Sequence, residues 1–377
     1  VSIQIAVCGA GAFGRNHIRL YRELPGVFLA AVVDPVTPDP AITGPAATGE
    51  TGQAPAVPVA VFPSIFPSTE AMLTAIQRGE LHIDAASVCV PTSAHHAVAA
   101  QLLQAGIHVL VEKPIASTLA QADDLIALAQ KHQRVLMVGH LERFNPAVQA
   151  VLPLLRGPMF FEAHRLSIFS PRSLDVDVVL DLMIHDLDIV LTLAQSPVAQ
   201  VHAVGLPILS PKTDIANVRV EFASGCVANF TASRVSTERV RKLRFFQPHQ
   251  YLSIDYARQD LLVIEVTPAI PSVTNPPATT PGMAASAPPL ALETLDLQKP
   301  TPPALPTLGM QKPTVTPGEP LRLELEAFLH AIRTSTAPPV TGQQARDALA
   351  LALQVQQAIA THTQHAGLQA FTTPPQA

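Results

Sequence analysis

Three groups of residues in this sequence have the types and spacing to do chemistry. The first is Gly9-Ala10-Gly11-Ala12-Phe13-Gly14, a G-x-G-x-x-G run placed between an apolar stretch, Ile3 to Cys8, and helical spacing from Ala12 to Leu24. In that setting the first glycine permits a tight turn, the second lets backbone approach a diphosphate, and the third lets helix and strand pack closely. The free amides of the helix N-terminus then hold the diphosphate. Asp34 closes the next apolar run, Val27 to Val33, 20 residues after Gly14. There a carboxylate accepts hydrogen bonds from ribose hydroxyls. Its charge favours NAD over NADP, because a 2′-phosphate would meet it.

The second group is Glu112-Lys113-Pro114, at the end of an apolar stretch, His108 to Val111. Open α/β sheets bind ligands at the carboxyl ends of their strands. A lysine there is lowered in pKa by burial and serves as proton acceptor or hydrogen-bond donor. Spacing alone fits a surface lysine as well. The third group is Asp181-Leu-Met-Ile-His185-Asp186-Leu-Asp188. On a helix Asp181 and His185 are i and i+4 and share a face, and Asp188 lies at i+3 from His185. A carboxylate beside a histidine fixes its tautomer and raises its basicity. An ordinary solvated pair has the same spacing. One Asp–His pair without further placed ligands does not make a metal site, so none is expected.

The elements that must carry these groups follow from periodicity. Over the first third, short apolar β-branched runs alternate with helical patterns: Ser68 to Arg78, Ala85 to Val90, Ala94 to Ala105 with Gly106 as its C-terminal cap, Leu119 to His132, and Val135 to Val138. Strands apolar on both faces and separated by helices predict a parallel sheet covered on both sides. After Asn145 the pattern changes. Ala147 to Leu155 and Val178 to Ala194 read as helices and Phe160 to Phe169 as a strand. Six strand-like runs from Gln200 to Val266 then follow with no helix between them, and Leu321 to Arg333 and Gln343 to Thr361 close the chain as helices. This predicts an α/β Rossmann domain over residues 1–140 and an α+β domain with a large, mostly antiparallel open sheet over 141–377.

Composition narrows the rest. The 377 residues are 48% apolar and only 14% charged, with 24 basic against 29 acidic residues and a net charge of −5. A nucleic-acid protein would show a basic excess, so none is expected as partner. No apolar run reaches the roughly 18 residues of a membrane-spanning helix, so no membrane partner is expected. The first residues lack the basic start and cleavage site of a signal peptide. Three scattered cysteines, Cys8, Cys89 and Cys226, suit buried thiols in a reducing cytoplasm. Of 37 prolines, eight lie between Pro35 and Pro67 and fourteen between Pro268 and Pro320. Residues of about 38–60 and 268–318 therefore read as surface insertions without a catalytic role.

Taken together, the glycine run, Asp34, Val90-Pro-Thr-Ser-Ala-His95, Glu112-Lys-Pro and the Asp181-x-x-x-His185 motif resemble the Gfo/Idh/MocA sugar oxidoreductases. The resemblance covers nearly the whole chain outside the two proline-rich windows. It implies NAD as cofactor, with Gly9, Gly11, Ala12, Phe13, Gly14, Asp34, Pro91, His95, Glu112 and Lys113 around it. It implies a catalytic group of Lys113, His185 and Asp181, with Asp181 orienting the sugar and the proton acceptor left open between Lys113 and His185. The runs Val138 to Pro146, Leu180 to Asp188, Asp214 to Arg219, Val227 to Val235 and Arg241 to Gln247 are similar to the subgroup that oxidises the 3-hydroxyl of UDP-N-acetylglucosamine ahead of transamination for lipid A. A nucleotide-sugar substrate implies cations for its diphosphate. Arg165, Arg172, Arg234, Arg241 and Arg244 are candidates, Arg165 and Arg172 foremost because they precede the Asp181 helix. Other nucleotide sugars, free polyols such as inositol, and a non-catalytic NAD sensor are the alternatives. The resemblance further implies a homodimer or homotetramer through the second sheet, its face supplied by the alternating apolar residues of Cys226 to Phe246.

Overall fold

The computed structural model describes residues 2–36, 63–169, 176–267 and 307–367. The first unit is a six-stranded parallel sheet of β1 (Ile3–Cys8), β2 (Val27–Val33), β3 (Ser64–Phe66), β4 (Ala85–Val88), β5 (His108–Glu112) and β6 (Leu136–Gly139). Its order, β3-β2-β1-β4-β5-β6, is that of a dinucleotide-binding Rossmann sheet. Helices α1 (Gly14–Glu23), α2 (Thr69–Gln77), α3 (Thr92–Gln104) and α4 (Leu119–Lys131) connect the strands. Their starts are encoded locally. Ser68 accepts from the Ala71 amide, and Thr118 from that of Gln121, each satisfying an amide the helix leaves open.

Helix α5 (Pro146–Val151), capped by Asn145, leads into the second unit. There β7 (Phe160–Ile168) is followed by a π-turn, Val179–Met183, running into α6 (Ile184–Ala194). The strands β8 (Val198–Leu206), β9 (Ile215–Phe222), β10 (Val227–Ser236), β11 (Val240–Gln247), β12 (Gln250–Asp255), β13 (Asp260–Thr267) and β14 (Thr307–Gln311) complete an eight-stranded sheet ordered β14-β13-β12-β11-β7-β10-β9-β8. All neighbours are antiparallel except β7 and β10.

Two expectations change here. Periodicity had missed β3 and β14, both at sheet edges, where pairing on one side only asks for little apolar patterning. Thr307–Gln311 lies inside the segment read as a surface insertion, yet it pairs with β13. Residues 37–62 and 268–306 of the two windows lie outside the described residues. The alternating apolar residues of β10 and β11 also do not form an open face. Ala228, Phe230, Ala232, Leu243 and Phe245 are at most 1% exposed and sit in the core under α6. The opposite face carries Phe160, Phe246 and Tyr251, with ring centroids 5.8 and 5.1 Å apart in sequence along the cluster.

Helices α7 (Pro320–Thr334) and α8 (Gly342–His365) close the chain. The sequence reading groups both with residues 141–377, but their buried side chains divide. Leu321, Leu325, Phe328 and Leu329 of α7 and Leu349 of α8 belong to the core of the Rossmann sheet. Ala348, Leu351, Ala352 and Val355 of α8 belong to the core of the second. Helix α8, started by a Thr341–Gln344 capping box, therefore ties the two units together and holds their junction in place.

Candidate functional site

The glycine run turns sharply after β1. Gly9 has φ +96°, and a Cβ there would lie 2.7 Å from the Cys89 carbonyl carbon. A Cβ on Gly14 would lie 1.9 Å from the Gly9 oxygen, whereas one on Gly11 would meet nothing within 4 Å. Two glycines thus permit packing, and the third faces open space at the start of α1, as a bound diphosphate requires. Asp34 ends β2 and accepts from the Ala10 amide at 2.7 Å and the Val36 amide at 2.9 Å. It fixes the glycine loop, and an ionised carboxylate has about four acceptor sites, so two remain for ribose hydroxyls. Ala12 and Phe13 lie exposed on the same loop. These residues fit NAD.

Pro91 starts α3. His95, placed by the resemblance around the cofactor, is 1% exposed. Its Nδ1 faces the Pro114 carbonyl at 2.8 Å and its Nε2 the Val90 carbonyl at 2.9 Å. Burial lowers its pKa. The ring braces the end of β4 against the Lys113–Pro114 segment. Glu112 hydrogen-bonds His17 Nε2 at 3.0 Å, and a Cβ on the facing Gly139 would lie 2.8 Å from the Glu112 carboxylate. His17, Cys89 and Glu112 bring three potential ligand atoms within 4.8 Å of one another, but the His17–Glu112 hydrogen bond already accounts for the closest pair.

Lys113 reaches across the junction. Its Nζ donates to the Asp181 carbonyl at 2.6 Å and lies 3.8 Å from the Asp181 carboxylate. Burial lowers its pKa, and the Asp181 charge opposes that shift. The sequence reads Val178 to Ala194 as one α-helix. The structure instead begins it with the π-turn Val179–Met183, and such turns are frequent at functional sites. Asp177 Oδ1 accepts from the amides of Val179 and Leu180 at its start. The wider turn presents the Asp181 carbonyl to Lys113. Asp181 forms no hydrogen bond with His185 among the described residues, so the expected carboxylate–histidine pair is replaced by a carboxylate–lysine pair. His185 Nδ1 is buried and has no hydrogen-bond partner among the described residues. Burial, then the charges of Lys113 and Arg165, hold its pKa well below the usual histidine range. That favours the neutral imidazole, whose lone pair can accept a proton.

The arginines divide. Arg165 does not reach the cleft as a free cation. It donates to both oxygens of Asp186 at 2.7 and 2.9 Å and to Glu142 at 2.9 Å, with its guanidinium 5.1 Å from the Tyr256 ring centre. Arg143 likewise donates to both oxygens of Asp188 at 2.6 and 2.8 Å. Two clamps therefore hold α6 from below. Arg234 pairs with Asp214 and bonds the Val176 carbonyl, and Arg244 pairs with Glu162 at 3.0 Å. Arg241 lies opposite Arg165 in the β7–β11 register, two residues before inward-facing Leu243, and is exposed. Partial burial and the Arg165 charge lower its pKa. Arg172 lies outside the described residues.

Sequence reasoning gave no individual role to His17, His140, Glu142, Arg143, Asp186 and Glu324, although four of them lie in runs it quoted. The usable signal was the dense polar run His140 to Asn145 directly after a buried strand.

A Rossmann sheet with an open glycine cradle, joined to an open-faced sheet by a lysine reaching a helix of the second unit, is the build of a nicotinamide-dependent oxidoreductase. The chain belongs to the Gfo/Idh/MocA family. Residues 3–140 match the family described as "Oxidoreductase family, NAD-binding Rossmann fold", and residues 160–247 match the GFO/IDH/MocA C-terminal domain. The chain is 33% identical to the UDP-N-acetylglucosamine 3-dehydrogenase of Acidithiobacillus ferrooxidans, over 95% of this chain and 98% of that one. A solved structure of that enzyme matches with TM-score 0.74 at 30% identity, covering 95% and 98% of the two chains. A putative myo-inositol dehydrogenase of Sinorhizobium meliloti shares the fold, with TM-score 0.68 at 20% identity over 96% and 98%.

Proposed function

We propose that this enzyme oxidises the 3-hydroxyl of UDP-N-acetylglucosamine to the 3-keto sugar. The observation that carries the reading is the Lys113–Asp181 contact beside neutral His185, where the Rossmann sheet meets the second unit. The choice of sugar is supported by the relative that is similar along nearly its whole length. NAD, when bound, supplies the acceptor for the hydride from C3. The chain does the rest. The Lys113 ammonium holds the reacting oxygen, His185 takes the hydroxyl proton, and Asp181 keeps Lys113 charged and orients the sugar. Arg241, exposed and directed to the α6 side of its strand, replaces Arg165 as the cation for the diphosphate. Pairs of chains meet through the open sheet face, where Phe246 is 40% exposed beside Phe160 and Tyr251. The enzyme works in the cytoplasm. The 3-keto product is of the class a transaminase consumes, as in lipid A assembly.

The test is a substrate panel with NAD, followed by NADH absorbance and by locating the product ketone. UDP-N-acetylglucosamine should be turned over and the ketone found at C3. Turnover of free inositol with none of any nucleotide sugar would overturn the substrate and leave the family standing.

A further inference from the structure

His140 belongs to none of the three motifs, yet it is the least satisfied polar side chain at the junction. It follows Gly139 at the carboxyl end of β6, and Gly139 is registered against Glu112, so His140 stands beside Lys113 at the rim of the sheet. Its ring is 1% exposed, and neither nitrogen has a hydrogen-bond partner among the described residues. Nδ1 lies 3.8 Å from Oδ2 of Asp188. Asp188 is three residues beyond His185 on α6 and so shares its face. His185 Nδ1 is also buried and unpaired. Three ring nitrogens therefore lack partners among the described residues, on two histidines close enough for His140 to act electrostatically on His185 and for Lys113 to act on both.

Leaving a buried polar atom unpaired costs stability, so three together mark an arrangement that serves the reaction rather than stability. Catalytic hydrogen bonds are often long in the free enzyme and tighten once substrate is bound. The charged groups around His140 are Asp188, Arg143, Lys113 and Glu112, and those around His185 are Lys113, Arg165 and Arg241. Of these, Asp188 is the acid brought nearest to a histidine ring of the pair.

We propose that Asp188, His140 and His185 close into one hydrogen-bonded chain when the sugar binds. His140 donates from Nδ1 to Asp188 and accepts at Nε2 from His185 Nδ1–H. His185 Nε2 then keeps its lone pair for the sugar hydroxyl. This rests on the reading of His185 as proton acceptor. As the hydroxyl O–H breaks, its proton passes to His185 Nε2. The C3–H bond leaves as hydride to the nicotinamide, and the carbonyl forms. The positive charge on His185 is spread through His140 toward the Asp188 carboxylate. His140 touches neither sugar nor cofactor and acts as a positioning residue. It performs the service that the sequence assigned to Asp181.

The direct test uses the unmodified protein, labelled with 15N-histidine and bound to NADH and UDP-N-acetylglucosamine. Long-range proton–nitrogen correlations should show both His140 and His185 as Nδ1–H tautomers. An Nε2–H tautomer for either overturns the proposal. In turnover, His140→Phe should lower kcat by at least about tenfold, below the roughly 10²–10⁴ that a group transferring the proton itself is worth, with KM and NAD affinity within about threefold. His140→Gln can accept from His185 and donate to Asp188, so it should stay within about threefold of the unmodified enzyme, inside the tenfold loss set for Phe. Normal kcat in the Phe variant, or equal loss in both folded variants, also overturns it. Should the Phe variant fail to fold, the tautomers decide. Should UDP-N-acetylglucosamine not be oxidised at all, the substrate reading fails, and the tautomers are measured with whichever sugar is.

Discussion

Two polar regions meet under α6 and are built on opposite principles. In one, Arg165 and Arg143 spend their guanidinium groups on Asp186, Glu142 and Asp188 with close, two-pronged geometry. In the other, among the described residues, the side chains of Lys113, His140 and His185 make a single hydrogen bond, from Lys113 to the Asp181 carbonyl, and three ring nitrogens have no partner. The first region is buried almost throughout; in the second His140 is buried and Lys113 and His185 are half-buried. A cluster whose cations are all spent on carboxylates fixes shape; one that keeps unpaired donors and acceptors in a held frame is where a ligand can be bound. The difference corrects the choice of Arg165 as a substrate cation and explains why α6 can present His185 in a fixed orientation.

The sharpest way to break this comparison is to remove a member of the cluster with unpaired groups. Lys113→Ala and His185→Ala should each lower turnover by roughly 10²–10⁴, the worth of a positioned acid–base group. NAD affinity, read by fluorescence titration, should stay within a few-fold because the glycine loop and Asp34 are untouched. Near-normal turnover in both would take them out of the mechanism.

Removing a member of the ion-paired cluster should act on folding instead. Arg165→Met strands Asp186 and Glu142 and should cost about 3–5 kcal/mol, the usual penalty for breaking a buried ion pair. Urea denaturation measures it. A loss under 1 kcal/mol would show that the clamp is not what holds α6.

A third, isolated group sharpens the contrast through pH. Glu324 of α7 is 0% exposed in the Rossmann core with both oxygens unpaired. Burial and then the nearby Glu112 charge hold its pKa well above the ordinary 4.5. The folded state therefore keeps a proton that the unfolded chain releases. The stability linked to this group is fully present below the unfolded pKa and is lost as pH rises from there through the folded value, by about 1.4 kcal/mol per pH unit. Glu324→Gln should flatten that slope, seen in urea midpoints between pH 5 and pH 8. Parallel slopes for the two proteins would mean that Glu324 is ionised and paired.

The smallest effect is expected at Asp34, whose carboxylate already serves the Ala10 amide. Asp34→Ala should narrow the preference for NAD over NADP, about tenfold at most if one charge contact near 1.4 kcal/mol is lost. Equal affinity for both cofactors in the unmodified protein would remove Asp34 from that role.

Local sequence determined the strands other than the edge strands β3 and β14, most helix starts and the glycine turn. Periodicity, caps and steric demand act over a few residues: Gly9 has a positive φ that side chains rarely adopt, and a Cβ on Gly14 would meet Gly9 of the same turn. It also marked Lys113, Asp181 and His185 as residues of interest. What each of them touches was decided only in three dimensions, because hydrogen bonds are made between side chains far apart in the chain. Arg165 and Asp186 are 21 residues apart, and Lys113 and Asp181 are 68 apart. Helical spacing placed Asp181 beside His185, but the π-turn gave it to Lys113. The same limit hid His140. Nothing in its neighbours along the chain marks a histidine as unpaired. That depends on Asp188, on α6, stopping 3.8 Å short of its ring.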